Sequence, residues 1–212
     1  MGFCRTNLFK RLESSGQVFL QSVERHILRN YIFLHALEND LPLPIGTQDL
    51  GLLDTRTNDE DVEQTDFIDD PSVDESLDEM ISEEVQNQTP HNGSGLRSEE
   101  QFRQRAAEIY QAYRQNYLNR FKWLSAGLFN GQLAKDLRKD AQSLIGVLQR
   151  CGQWDWRRDT KLRALLDLIQ HRHAGQKVLL FTQFADTVRY LDGAFRMLGI
   201  SQSAGATGGS SD

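Results

Sequence analysis

The stretch Lys177-Val-Leu-Leu-Phe-Thr-Gln-Phe184 decides how this chain is read. Val178, Leu179, Leu180 and Phe181 form a continuous apolar run, entered from Gly175 and left through Thr182-Gln183. An apolar run bounded by turn residues predicts a strand buried on both faces, as in a parallel sheet. Beyond it, Phe184, Val188, Leu191, Phe195 and Leu198 recur at steps of three and four, with Gly199 at the expected C′ position. Before it, Asp159 is placed to cap a helix whose Leu162, Leu165, Leu166 and Ile169 share one face. That helix runs out through His171-Arg172-His173 and Gly175, cations and then glycine. Helix, buried strand and helix, with Ile200 opening a second strand, is the order of a doubly wound α/β domain.

The run D-T-K-L-x-x-L-L-x-L-I from Asp159, followed by K-V-L-L-F-T-Q-F-A-D-T-V-x-Y-L from Lys177, resembles the start of the second RecA-like lobe in helicase-like ATPases of the Snf type. Near the N-terminus, Leu8-Phe-Lys-Arg-Leu-Glu-Ser-Ser15 with Phe19 after it is similar to the K-R-L-E-S-S-x-x-A-F helix this family carries ahead of that lobe. The resemblance implies a mainly α chain with a partial α/β, RecA-like C-terminal piece: a long helical hairpin plus an incomplete doubly wound sheet. Residues 1–45 would be a helical brace between lobes and 46–97 an acidic linker. A helical hairpin insertion would fill 98–153, and the second lobe would begin at 154–212.

No G-x-x-x-x-G-K-[ST] loop occurs to cradle phosphates, and no acidic box follows a strand to hold magnesium. Asp78-Glu79 is preceded by Pro71-Ser-Val-Asp-Glu-Ser-Leu77, which is no buried strand, so it does not qualify. The resemblance implies that those motifs precede residue 1 and that the arginine motif completing the ATP site follows residue 212. ATP and Mg2+ are therefore implied for the parent protein, while this chain alone is expected to hold no cofactor and to be inactive. Its partner would be nucleic acid, DNA foremost, together with the remaining motor lobes. The candidate contacts are Thr182 and Gln183, at the carboxyl end of the predicted strand where ligands approach open α/β sheets. A helix start follows them, and its free amides suit an anion. Thr207, within Gly205-Ala-Thr-Gly-Gly209, joins them because that turn resembles the family's loop after the second strand. Arg11, on the basic face that also carries Lys10, Arg25 and Arg29, completes the set. A competing reading is a non-catalytic helical protein-interaction module with an acidic tether.

Charge is unevenly spread. The chain carries a net −6, yet residues 54–84 alone carry −13, which leaves +7 for the rest. A basic body suits a polyanion. The block from 46 to 95 is rich in Gly, Asp, Glu, Asn, Gln and Ser, and is expected to remain unfolded because it has little apolar surface to bury. Cys4 and Cys151 are far apart and form no C-x-x-C, so no disulfide framework or zinc knuckle is predicted and a reducing cytoplasm is the default. No segment approaches a membrane span.

Two helices are expected in the middle of the chain. Ser98 with Gln101 forms a capping box, and Phe102, Ala106, Ile109, Tyr113, Tyr117, Phe121 and Leu124 carry helical spacing to about Trp123. After Asn130-Gly131, Leu133, Leu137, Ala141, Leu144, Ile145 and Leu148 give the second, and the two should pack antiparallel. At that spacing the tyrosines belong to the seam of the hairpin. Arg103, Arg105, Arg114 and Arg120 are possible phosphate contacts. Trp154-Asp-Trp156-Arg-Arg158 is read as a packing plug with an arginine over an indole. An incomplete sheet would leave Val178–Phe181 with an open edge. Self-association, or cover by the hairpin, is the expected relief.

Overall fold

The computed structural model describes residues 2–47, 96–200 and 202–206. The acidic block 54–84 and Thr207 lie outside the described residues. The elements are α1 (Gly2–Ser14), α2 (Gly16–Glu38), β1 (Leu43–Thr47), α3 (Glu99–Asn116), β2 (Phe121–Leu124), α4 (Gly131–Cys151), α5 (Thr160–Asp167) and α6 (Ala185–Met197). The protein is mainly helical, with a two-stranded antiparallel sheet among the described residues. Packing separates two compact units: Met1–Ser22 with Gly152–Asp212, and Val23–Cys151.

In the Val23–Cys151 unit, α3 starts where the capping box places it: Ser98 Oγ accepts from Gln101 N, and Gln101 Oε1 accepts from Ser98 N. Gln149 Nε2 donates to the Arg97 carbonyl and Gln142 Nε2 to Glu99 Oε2. Glu38 of α2 receives both Arg103 of α3 and Arg138 of α4. Partners thus rise along α3 as they fall along α4, so the two helices are antiparallel, as the hairpin reading expects. Tyr31 of α2, Phe102, Tyr110 and Tyr113 of α3 and Phe121 of β2 are fully buried. Tyr31 stacks on Phe102 with ring centroids 6.3 Å apart, and Tyr113 meets Phe121 at 4.6 Å. Tyr110 and Tyr113 are therefore core residues, and neither ring is open to a base.

The extent of α3 differs from the expectation. The helix stops at Asn116, and Phe121–Leu124 forms β2 against β1, with Leu43 opposite Leu124, Pro44 opposite Trp123 and Ile45 opposite Lys122. Phe121 and Leu124 fit a helical face by spacing, but Phe121 reaches the same core from an extended backbone. Gly46, at φ 55, takes the left-handed conformation at the bulge that shifts the register before Thr47.

In the other unit, Leu162, Tyr190, Ala194 and Phe195 form the core, with Trp154 and Trp156 packed against it. Asp159 caps α5 as expected: Oδ1 accepts from Lys161 N at 2.9 Å and Leu162 N at 3.1 Å. Its other oxygen accepts from the Tyr190 hydroxyl at 2.7 Å, and Trp154 Nε1 donates to the same hydroxyl at 3.3 Å. Burial first, and the Asp159 carboxylate second, push the Tyr190 phenol well above its ordinary pKa. Replacing Tyr190 with Phe leaves Asp159 Oδ2 and the Trp154 N–H without this partner. The expected loss is about 1.5–3 kcal/mol, the scale of a hydrogen bond to a charged group. Urea unfolding of the Tyr190→Phe chain measures it, and an unchanged midpoint would show that the hydroxyl contributes nothing.

The predicted strand at 178–181 does not form, which corrects the α/β reading of this region. Residues 177–182 carry no helix or strand; Leu179 is 74% exposed and Phe181 92% exposed. A strand buried on both faces needs ladder partners on its edges and layers above and below. β1 and β2 pair with each other, so no described strand supplies a ladder here. Ile200 opens no strand either. Its N–H returns to the Phe195 carbonyl at 2.9 Å while Gly199 sits at φ 73, the glycine stop foreseen for α6.

Candidate nucleic-acid interface

The start of α6 is organised by α1. Arg11 lies in the last turn of α1, and its Nη1 meets Asp186 Oδ2 at 3.2 Å. The same guanidinium stacks over the Phe184 ring, 4.9 Å from its centroid. Both partners of the ion pair are buried, and Asp186 also receives Arg189 Nη1 at 3.0 Å. One turn on, the Ser14 and Thr187 hydroxyls are 2.7 Å apart, and Ser14 Oγ is 3.4 Å from Thr182 Oγ1. Lys161 of α5 donates to the Glu13 carbonyl, which would otherwise be unsatisfied at the end of α1.

These contacts set the turn that carries the predicted residues. Thr182 is exposed, and its Oγ1 accepts a long bond from Phe184 N at 3.4 Å, while α6 itself has no side-chain cap. Gln183 is exposed at the mouth of the same turn. Arg11 is brought to within the same group of residues, but with its guanidinium committed to Asp186 and Phe184. In this arrangement it shapes the turn and does not face solvent. Thr207 lies outside the described residues. Asp186 is the partner that sequence reasoning missed; a carboxylate on the apolar side of α6, two residues after a buried aromatic, was the available signal.

The other arginines are largely spoken for. Arg25 is buried, and Arg29 Nη2 donates to His26 Nδ1 at 2.7 Å, while His26 Nε2 lies 3.2 Å from Asp140. Asn30 Nδ2 also donates to Asp140, and these two contacts hold the Asp140 carboxyl below its ordinary range. Burial would raise Glu38, but hydrogen bonds from Arg103 and Arg138 pull its carboxyl below the usual value. Arg103 also holds Glu99, and Arg105 holds Glu108. The side chain of Arg120 lies outside the described residues. As the sequence predicts, one arginine lies over an indole: Arg157 above Trp156, 4.8 Å from the ring centroid.

No family model matches this chain, and neither a curated protein nor a solved structure shows detectable similarity to it. Among the described residues no three His, Cys, Asp or Glu side chains converge as metal ligands, and no helix is long and apolar enough to cross a membrane.

Proposed function

We propose that this chain is a portion of an ATP-dependent, nucleic-acid-dependent helicase-like translocase of the Snf type. Its share of the work is to shape part of a RecA-like lobe and to touch the nucleic-acid backbone, while ATP and Mg2+ bind elsewhere in the parent. The observation that carries this reading is the packing of the two motif-bearing stretches on each other. Arg11 and Ser14 of the K-R-L-E-S-S run meet Asp186 and Thr187 of the F-A-D-T run, more than 170 positions away in sequence. Two stretches that each resemble the same family support this reading more strongly when they also form one structural unit. Thr182 and Gln183 then project from the turn those contacts hold, with a hydroxyl and an amide able to donate to a phosphate oxygen.

The exposed run Leu179-Leu180-Phe181 fits the same reading, since further strands of a lobe would cover it. It also keeps the protein-interaction reading alive, because an open apolar segment is a place for another chain to pair. Nucleic-acid binding separates the two. Gln183→Ala should weaken binding of the chain to an oligonucleotide by roughly 1 kcal/mol, the usual net scale of a hydrogen bond. Fluorescence anisotropy at low salt provides the readout. Wild-type affinity in Gln183→Ala would remove the contact, and no binding by the wild-type chain would favour the interaction module.

A further inference from the structure

Four cations lie within seven residues at the start of α5: Arg157, Arg158, Lys161 and Arg163, all exposed. Of their acidic neighbours, Asp159 is occupied elsewhere, while Asp155 stays with Arg157. Asp159 is buried and spends its oxygens on two backbone amides and the Tyr190 hydroxyl. Asp155 accepts from the Arg157 backbone N–H at 3.0 Å and stands 3.8 Å from the Arg157 guanidinium. Glu13, across on α1, offers its carbonyl to Lys161. Arg158 and Arg163 have no carboxylate partner among the described residues.

Two of the guanidinium groups, those of Arg157 and Arg163, are also held in place. Arg157 lies over Trp156, and the indole packs against the Leu162–Tyr190 core, so the guanidinium rests on a fixed support. Arg163 Nη2 donates to the Arg157 carbonyl at 2.9 Å, which anchors a second guanidinium on the backbone of the same turn. Cations gathered on one short segment suit a polyanion. A planar guanidinium fork suits paired recognition of phosphate oxygens and resists replacement by lysine. Arg157 occupies one face of the half-buried indole.

We infer that Arg157, Arg158 and Arg163 form a second backbone-binding patch, one that takes nucleic-acid phosphodiesters without reading sequence. The inference deepens the nucleic-acid reading above and rests on it. Each neutralised phosphate steepens the fall of log affinity with log salt by about 0.7 for single strands and 0.9 for duplex. Three lost contacts should flatten that slope by about 2–3.

The test is anisotropy of the full chain with single-stranded and duplex oligonucleotides across a salt series. Its arms are wild type, Arg157→Ala/Arg158→Ala/Arg163→Ala, the corresponding triple lysine variant, and Lys122→Ala/Lys135→Ala/Lys139→Ala as a charge-matched control in the other unit. Circular dichroism checks the fold; the replaced arginines are exposed, and each arm is read only where the helical signal is kept. The alanine variant is expected to lose most of the salt slope on either nucleic acid. Between about 50 and 200 mM salt, the wild-type chain should lose roughly 15–40-fold more affinity than this variant. The lysine variant should keep the slope yet bind several-fold more weakly. An unchanged slope in the alanine variant, or an equal flattening in the control, overturns the patch. Poly-glutamate binding that falls in the alanine variant while nucleic-acid binding does not would assign the patch to an acidic protein and also overturn it. Loss in Gln183→Ala with none in the triple variant leaves the nucleic-acid reading standing and removes only the patch. The reverse pattern keeps the patch and removes the Thr182–Gln183 contact.

Discussion

Replacing Arg11 with alanine is expected to destabilise the unit that holds α1, α5 and α6 by about 2–4 kcal/mol. Arg11 and Asp186 are each about nine-tenths removed from solvent, so their attraction is only weakly screened. Removing one partner leaves the other buried, and that desolvation cost, more than the pair's own strength, sets the size of the loss. Arg189 remains on Asp186 at 3.0 Å, which keeps the figure below the full penalty for an orphaned carboxylate. The guanidinium also covers the Phe184 face, an attraction that alanine removes as well. Arg11→Lys keeps the charge but not the planar stack and should fall between the two. Chemical unfolding monitored by tryptophan fluorescence gives the measurement, because Trp154 and Trp156 both belong to this unit. A loss under about 0.5 kcal/mol, the scatter of ordinary surface substitutions, would mean that the pair does not hold α1 in place.

Gly16→Ala should destabilise the same unit by about 1–3 kcal/mol, the range for overpacking. A Cβ at Gly16 would lie 2.4 Å from Trp154 Cζ3 and 2.5 Å from Cη2. The indole has little room to yield, since its N–H donates to Tyr190 and its ring meets Tyr190 edge to face at 6.4 Å. Helix propensity argues the other way. Gly16 is the first residue of α2, and alanine in a helix interior is worth up to about 1 kcal/mol over glycine. That gain is smaller at a terminus, so the clash is expected to win. A double-mutant cycle with Trp154→Leu isolates the contact, because the smaller side chain should restore most of the loss. A stabilised Gly16→Ala chain would show that propensity governs this position and that the indole moves aside freely.

Local signals in the sequence were enough to place most helix ends. Asp159 and Ser98 cap where they were expected because an N-cap bond closes within three residues. Gly199 stops α6 for the same local reason. The break between α1 and α2 at Ser15 follows from the Ser-Ser-Gly run. Tyr113 points inward as its spacing predicts, while Tyr117 falls just past the end of α3. Pairings between distant residues were not legible. Nothing in Phe121–Leu124 announces that its hydrogen-bond partners are Leu43–Thr47, and by spacing alone it continues a helix. Arg11 reads as one more cation on a basic face until Asp186 and Phe184, far along the chain, are placed beside it.

The Val178–Phe181 run marks the division between the two kinds of information most plainly. Its composition by itself determines that the segment is apolar, rich in residues that favour an extended backbone, and set between two capped helices. Whether it becomes a strand depends on what lies alongside, since each backbone group in a sheet is satisfied by a neighbour and never by its own segment. Helices close their hydrogen bonds within four residues, so the sequence could determine where α3 and α5 start and where α6 stops. Sheets and ion pairs close theirs across the chain. Only the tertiary structure could therefore pair β1 with β2, leave Phe181 open to solvent, and bury Arg11 against Asp186.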